Sequence, residues 1–241
     1  MGTCPPGPDP PAANAVRLSA ARCGEIDMSE ARSFVPAAGR DWLLPLYDPL
    51  LRLLGEERIK GALFEAAEIC PGQRVLDLGC GTGTLALLIR ARCPEAQVVG
   101  LDPDPKALAI ARRKAERAGV EIDWQQGFAD DLPFEDASFD RVVSSLVFHH
   151  LPPDRVRATV PELQRVLKPG GSVWVLDFGA GGHHGLHGIL AHLTSHQHGD
   201  EDVAEELPTL LGEAGLVDAE ARPAGRTFMG SLVLTHAHAP G

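Results

Sequence analysis

Short apolar runs alternate with stretches in which Leu, Ile and Ala recur every three to four positions, and this switching of period organises most of the chain. Val75, Leu76, Asp77 and Leu78 form the first compact run, suited to a buried parallel strand, and residues 84–92 then carry Leu and Ile at helical spacing. The same switch repeats, predicting strands near 74–78, 97–101, 121–125, 140–145 and 172–177 with helices between them, one of them over 105–117. Residues 207–214 read as a further helix ended by Gly215, and 216–221 and 227–235 as two closing strands. Parallel strands need crossovers, whereas the final pair has a short connection and can be antiparallel. The prediction is an α/β fold, a doubly wound sheet in one domain over residues 39–241, with its ligand crevice at the carboxyl ends of the strands.

Ahead of the first strand the pattern is again helical. Trp42, Leu43, Leu46, Tyr47, Leu50, Leu51 and Leu54 give a nearly continuous apolar face, so residues 39–70 are expected to form a helical cap. Residues 1–38 are rich in Pro, Ala and Gly with little periodicity and are expected to be a flexible extension. The phrase MSEARSFVPAAGRDW at Met28 reads as a protein start, which would make the residues before it dispensable.

The chemistry concentrates at residues 75–86, VLDLGCGTGTLA, where strand, acid, three glycines and helix follow one another without a gap. Gly79, Gly81 and Gly83 permit backbone angles that a Cβ would forbid and let a ligand approach the main chain, which a helix N-terminus then faces. The spacing differs from the G-x-G-x-x-G of nicotinamide sites, and the Lys-Ser/Thr pair of a phosphate-binding P-loop is missing. A second signal is VVGLDPDPKAL, residues 98–108, an apolar strand ending in Asp102. An acid there accepts hydrogen bonds from ribose hydroxyls in dinucleotide-type sheets. A plain capping role for the next helix also fits Asp102, and Asp104 equally.

Residues 126–151 read QGFADDLPFEDASFDRVVSSLVFHHL, and residues 161–179 read PELQRVLKPGGSVWVLDFG. With the glycine loop and Asp102, these phrases resemble class I S-adenosylmethionine-dependent methyltransferases, closest to the quinone-biosynthesis-like enzymes of methyltransferase-11 type, over residues 40–180. The resemblance implies a seven-stranded Rossmann-like sheet whose last strand is inserted antiparallel beside the sixth. It implies S-adenosylmethionine as cofactor, held by Tyr47, Asp77, Gly79, Gly81, Asp102, Pro103, Phe128, Ala129 and Ser145. The loop would cradle the methionine part, Asp77 would lie near its ammonium group, and Tyr47 with Asp48 would lie near its carboxylate. One departure stands out. Where the family commonly has G-D-A, its Asp accepting from the adenine amino group, this chain has Gly127, Phe128, Ala129. Phe128 would stack on adenine instead, the Ala129 N–H would meet a ring nitrogen, and Asp130 or Asp131 are candidate substitutes for the missing acid.

The reaction implied is in-line methyl transfer to a small-molecule acceptor, quinone-like or a secondary metabolite, which asks mainly for alignment and desolvation. An acceptor that must lose a proton would be served by His149 or His150, just past the fourth strand, with His149 nearer the strand end. The alternatives are a catalytically silent S-adenosylmethionine-binding module and an NAD-binding oxidoreductase.

Charge and composition narrow the partners. A formal charge of −11 and a pI near 5.3 argue against nucleic acid, since binding phosphates requires a basic face. No apolar stretch approaches the roughly eighteen residues of a membrane span, and no secretory signal is evident. Five scattered cysteines give no disulfide framework and no metal knuckle, so a cytoplasmic location is expected. Residues 179–203 hold His183, His184, His187, His192, His196 and His198 and are expected to be an inserted lid over the substrate pocket. Although His183/His187 and His192/His196 are spaced four apart, Gly185 and Gly188 weaken a helix there, and no metal site is expected.

Overall fold

The computed structural model describes residues 56–179, 203–227 and 230–241. The expected extension over residues 1–38, Tyr47 and Asp48 of the cap, and the histidine-rich insertion lie outside the described residues.

The described residues begin with helix α1 (Glu56–Ala66) and then alternate: β1 (Arg74–Leu78), α2 (Thr84–Arg92), β2 (Gln97–Asp102), α3 (Pro105–Ala118), β3 (Asp123–Gln126) and β4 (Phe139–Ser145). After a 3₁₀ turn at Phe148–His150 come α4 (Pro153–Val166), β5 (Leu167–Phe178), α5 (Val203–Glu213), β6 (Val217–Thr227) and β7 (Gly230–His238). These strands form one seven-stranded sheet in the order β3-β2-β1-β4-β5-β7-β6. The first five are parallel, and β7 runs antiparallel to both β5 and β6.

Both faces of the central strands are buried, which is why they read as continuous apolar runs. Alternation along β1 puts Leu76 and Leu78 on the face packed by Val156, Val160 and Leu163 of α4 and Leu207 and Leu211 of α5. Val75 lies on the other face, against Leu63 of α1 and Leu85 and Ile89 of α2. Asp77 shares that second face, so the one carboxylate of β1 is buried under the start of α2.

The hairpin differs from expectation in extent. β6 continues through Pro223 and Gly225 to Thr227, with register shifts at Val217/Glu220 and Pro223/Gly225. β6 is the edge of the sheet, where a proline is tolerated, and the bulge at Pro223/Gly225 absorbs the irregularity. Cys70 is disulfide-bonded, contrary to the expectation of thiols alone, whereas Cys80 and Cys93 are free and buried.

A candidate cofactor and acceptor site at the β1–β4 switch point

The strand order reverses between β1 and β4, one neighbour leading to β2 and β3 and the other to β5, so the loops after β1 and β4 diverge and leave a crevice at the strands' carboxyl ends. The glycine loop builds one wall. Gly79, Gly81 and Gly83 have φ of 68°, 53° and 77°. The amides of Gly79 and Cys80 donate to the Leu101 carbonyl at 2.8 and 3.0 Å, tying the loop to β2. The three glycines serve different ends. A Cβ on Gly79 would sit 2.5 Å from Val147, and one on Gly83 2.5 Å from the Trp124 ring, but a Cβ on Gly81 would meet nothing within 4 Å. Gly79 and Gly83 are required by packing; Gly81 lies bare toward the crevice.

Two carboxylates frame this loop. The Gly81 amide donates to Oδ2 of Asp102 at 2.8 Å, and the Asp104 amide donates to Oδ1 at 2.9 Å. Helix α3 is capped by Asp104, which accepts from the Lys106 amide at 2.8 Å, so Asp102 is held beside the glycine loop rather than used as the cap. Asp77 accepts from the Ala86 amide at 2.9 Å through Oδ2. Its burial pushes its carboxyl up to about 7, against the opposing charge of Lys60 from α1. Burial likewise pushes the Cys80 thiol well up, with Asp77 and Asp102 adding to the effect, as befits a packing residue rather than a nucleophile.

The third wall comes from the end of β3. The Gly127 amide donates to the Asp102 carbonyl at 3.3 Å, and Phe128 opens a tight turn closed by the Asp131 amide on the Phe128 carbonyl at 3.3 Å. Arg155 of α4 lies 5.6 Å from the Phe128 ring centroid and pairs with Asp130, its Nη1 being 3.0 Å from Oδ1 and 2.9 Å from Oδ2. Ala129 packs against the core on the α4 side, and the Pro103 carbonyl accepts from the Gln126 amide group at 3.2 Å.

The remaining wall is the turn after β4. Ser144 donates to the Leu78 carbonyl at 3.0 Å, joining β4 to β1. The neighbouring Ser145 hydroxyl is buried with no hydrogen-bond partner among the described residues, an orphan that a bound polar group would satisfy. Leu146 follows with φ of 60°, a conformation that costs a non-glycine residue of order 1–3 kcal/mol and bends the chain sharply at the crevice.

Asp177, which the sequence reading missed, organises this turn from β5. Its Oδ2 accepts from the amides of Val147, Phe148 and His149 at 3.1, 2.7 and 3.3 Å. Its Oδ1 accepts from the Phe178 amide at 2.8 Å and lies 2.6 Å from Nδ1 of His149. Burial alone would raise the Asp177 carboxyl, but the charge and hydrogen bond of His149, with the Phe178 and His149 amides, hold it below the ordinary value. With its Nδ1 engaged, His149 has Nε2 left for chemistry, and its side chain is 26 % exposed. The His150 ring lies against it at 3.9 Å between centroids, and Phe178 meets its ring edge-on at 5.0 Å.

The structure thus brings together Asp77, Gly79, Gly81, Asp102 and Ser145 around one crevice, with Phe128 on the β3 side and His149 on the β5 side. Among the described residues there is no group of three metal-ligating side chains. A groove of about 710 Å³ lined by Arg74, Arg90, Arg112 and Trp124 lies at the opposite end of β1 to β3, away from these groups.

Residues 75–171 match the family described as "Methyltransferase domain". The chain is 43% identical over 139 residues to the demethylmenaquinone methyltransferase of Thermus thermophilus, covering 56% of this chain and 62% of that protein. It is 40% identical over 144 residues to the chloroplastic 2-phytyl-1,4-beta-naphthoquinone methyltransferase of Arabidopsis thaliana, covering 56% of this chain and 54% of that protein. The match therefore spans less than two thirds of either relative's length. Among solved structures, the fold resembles phosphoethanolamine N-methyltransferase 2 of Haemonchus contortus, in complex with phosphomonomethylethanolamine and S-adenosylhomocysteine. That likeness has a TM-score of 0.64 at 18% identity, over 76% of this chain and 52% of the other.

Proposed function

We propose that this chain, whose residues 75–171 match a methyltransferase domain, is a class I S-adenosylmethionine-dependent methyltransferase that moves the cofactor's methyl group to a small-molecule acceptor with a quinone-like ring. The observation that carries the reading is the bare Gly81 backbone between the buried carboxylate of Asp77 and the half-buried one of Asp102, next to the orphaned Ser145 hydroxyl. A pyrophosphate would be repelled by an ionised Asp77 under the loop, whereas a zwitterionic amino acid joined to a ribose suits Asp77 with its ammonium group and Asp102 with its ribose.

The bound cofactor supplies a sulfonium methyl group open to in-line displacement. Gly81 admits its methionine portion to the backbone, and Asp77 offers the ammonium group a counter-charge. Asp102, its oxygens already oriented by the Gly81 and Asp104 amides, accepts from the ribose hydroxyls. Phe128 gives the base a ring face. On the acceptor side, Nε2 of His149 takes the proton that a reduced quinone ring loses as its carbon or oxygen is methylated. The quinone-like acceptor rests on the names of the Thermus and Arabidopsis relatives. A cytoplasmic location is part of the same reading, and the Cys70 disulfide stands against it; alkylating the native protein without reductant and finding Cys70 protected would overturn the location, whereas a reactive Cys70 thiol would support it.

Calorimetry with S-adenosylhomocysteine, with NADH as control, tests the cofactor. Micromolar binding of the former alone is expected, and binding of NADH alone would overturn the reading. Binding without turnover of any reduced naphthoquinone or benzoquinone would reduce the chain to a cofactor-binding module.

A further inference from the structure

We propose that the purine subsite of this chain does not read the 6-amino group of the cofactor, so that a hypoxanthine base is accepted nearly as well as adenine. The inference rests on the cofactor reading above and concerns only the base. With the ribose on Asp102 at the end of β2, the base lies toward the next strand, and the backbone that follows β3 is Gly127, Phe128, Ala129. Phe128 presents a ring and no acceptor. Asp130, the nearby acid, has both carboxylate oxygens on the Arg155 guanidinium at 3.0 and 2.9 Å, and its side chain is only 14 % exposed. Turning it toward a base would break that pair and leave Arg155 partly buried without its counter-ion. Asp131 closes the turn with its amide on the Phe128 carbonyl and is exposed, so its carboxylate is solvated and is not a buried acceptor of the kind that enforces an amino group.

Arg155 also fixes what replaces the acid. Lying 5.6 Å from the Phe128 centroid and anchored by Asp130, the guanidinium braces the ring from the α4 side. The base therefore meets a supported aromatic surface. Stacking is tolerant because every base has a π-face. A site that hydrogen-bonds a particular amino group is intolerant, because an analogue lacking it leaves buried groups unpaired. Adenine donates from its 6-amino group, whereas hypoxanthine accepts at O6 and donates from N1. A carboxylate facing that edge would repel O6; Phe128 is indifferent to the exchange, and so is an Ala129 N–H on N3 or N7, which accept in both bases, whereas an Ala129 N–H on N1 would oppose the hypoxanthine N1–H and give the discrimination that overturns the proposal.

The test compares S-adenosylhomocysteine with S-inosylhomocysteine by calorimetry on the native chain and on Phe128→Asp. On the native chain we expect dissociation constants within about ten-fold of each other. In the variant, S-inosylhomocysteine should lose at least about a hundred-fold relative to S-adenosylhomocysteine. Discrimination above ten-fold on the native chain would overturn the proposal, as would a folded variant with unchanged selectivity. The native comparison needs no variant, so poor folding of Phe128→Asp leaves it decisive. If neither compound binds, the cofactor reading itself fails, whereas binding of S-adenosylhomocysteine alone refutes only the inference about the base.

Discussion

His149 and Asp177 are 28 residues apart in sequence and 2.6 Å apart in space, Nδ1 to Oδ1, while the other oxygen of the same carboxylate gathers three consecutive turn amides. One buried acid both shapes the turn after β4 and engages Nδ1 of His149, which in the proposed function leaves Nε2 to serve the acceptor. Asp177→Asn keeps an oxygen for the amides but, if that oxygen takes them, presents an N–H to His149 and favours the wrong tautomer. Turnover should fall about 10²–10⁴-fold with KM for the acceptor changed little. A kcat loss equalled by a KM rise would point to a collapsed turn instead.

His149→Gln removes the base while retaining a hydrogen-bonding side chain. Turnover of an acceptor that must lose a proton should fall about 10²–10⁴-fold with a changed pH–rate profile, and cofactor affinity should stay within about three-fold of the native value, or roughly 0.7 kcal/mol. An unchanged pH–rate profile would remove His149 from the mechanism.

The same pair has a stability signature. Because the folded-state carboxyl of Asp177 titrates below its ordinary value, the unfolded chain binds more protons in that range, so stability falls as pH drops from the ordinary value through the folded one. Thermal melts of the native chain between pH 6 and 3 should lose stability more steeply than those of Asp177→Asn. Parallel curves would contradict the assignment.

Asp77 works in the opposite sense. Its carboxyl sits at about 7 in the folded protein against 3.8 for the ordinary value, so the fold binds the extra proton and loses stability as pH rises from about 4 to 7. Asp77→Asn should flatten that decline in ligand-free melts while weakening S-adenosylhomocysteine by about 10- to 100-fold at pH 8, equivalent to roughly 1.4–2.7 kcal/mol. Stability gained where binding is lost is the expected mark of a functional buried acid.

The glycine loop separates packing from binding by single substitutions. Gly81→Ala adds about 1–2 kcal/mol of backbone strain and places its methyl in open space, so it should fold and lose cofactor binding. Gly83→Ala adds to similar strain a collision with Trp124 and Ala111, and Gly79→Ala one with Val147, so both should melt several degrees lower still. Equal melting temperatures for the three variants would contradict the assignment of Gly79 and Gly83 to packing.

Local pattern was enough to locate β1, β2, β4 and the glycine loop, because buried parallel strands leave uninterrupted apolar runs and the loop must join them in a few residues. The limits were equally physical. Pro223 reads as the end of a strand unless the strand is known to be an edge, which is a property of the whole sheet. Asp177 looks like one acid in an apolar run, and its meaning depends on amides contributed by another strand's end. A buried carboxylate does announce that partners must exist, and that signal in VWVLDFG could have singled it out. Lys60 likewise gains significance only when α1 folds over Asp77. Asp102 and Asp104 were interchangeable as caps until the Lys106 amide chose between them.

The reversal of strand order between β1 and β4 assigns separate duties to the two halves of the sheet. In the proposed function, recognition of the cofactor gathers on β1, β2 and β3 with Ser145 at the end of β4, and the proton chemistry of the acceptor on the turn after β4 and on β5. Exchange between relatives of the segments after β4 and β5 can therefore redirect the choice of acceptor while the cofactor's dissociation constant is inherited unchanged. On the proposed function, one half of the sheet would be the part to replace for a new activity, with the other kept as a common socket.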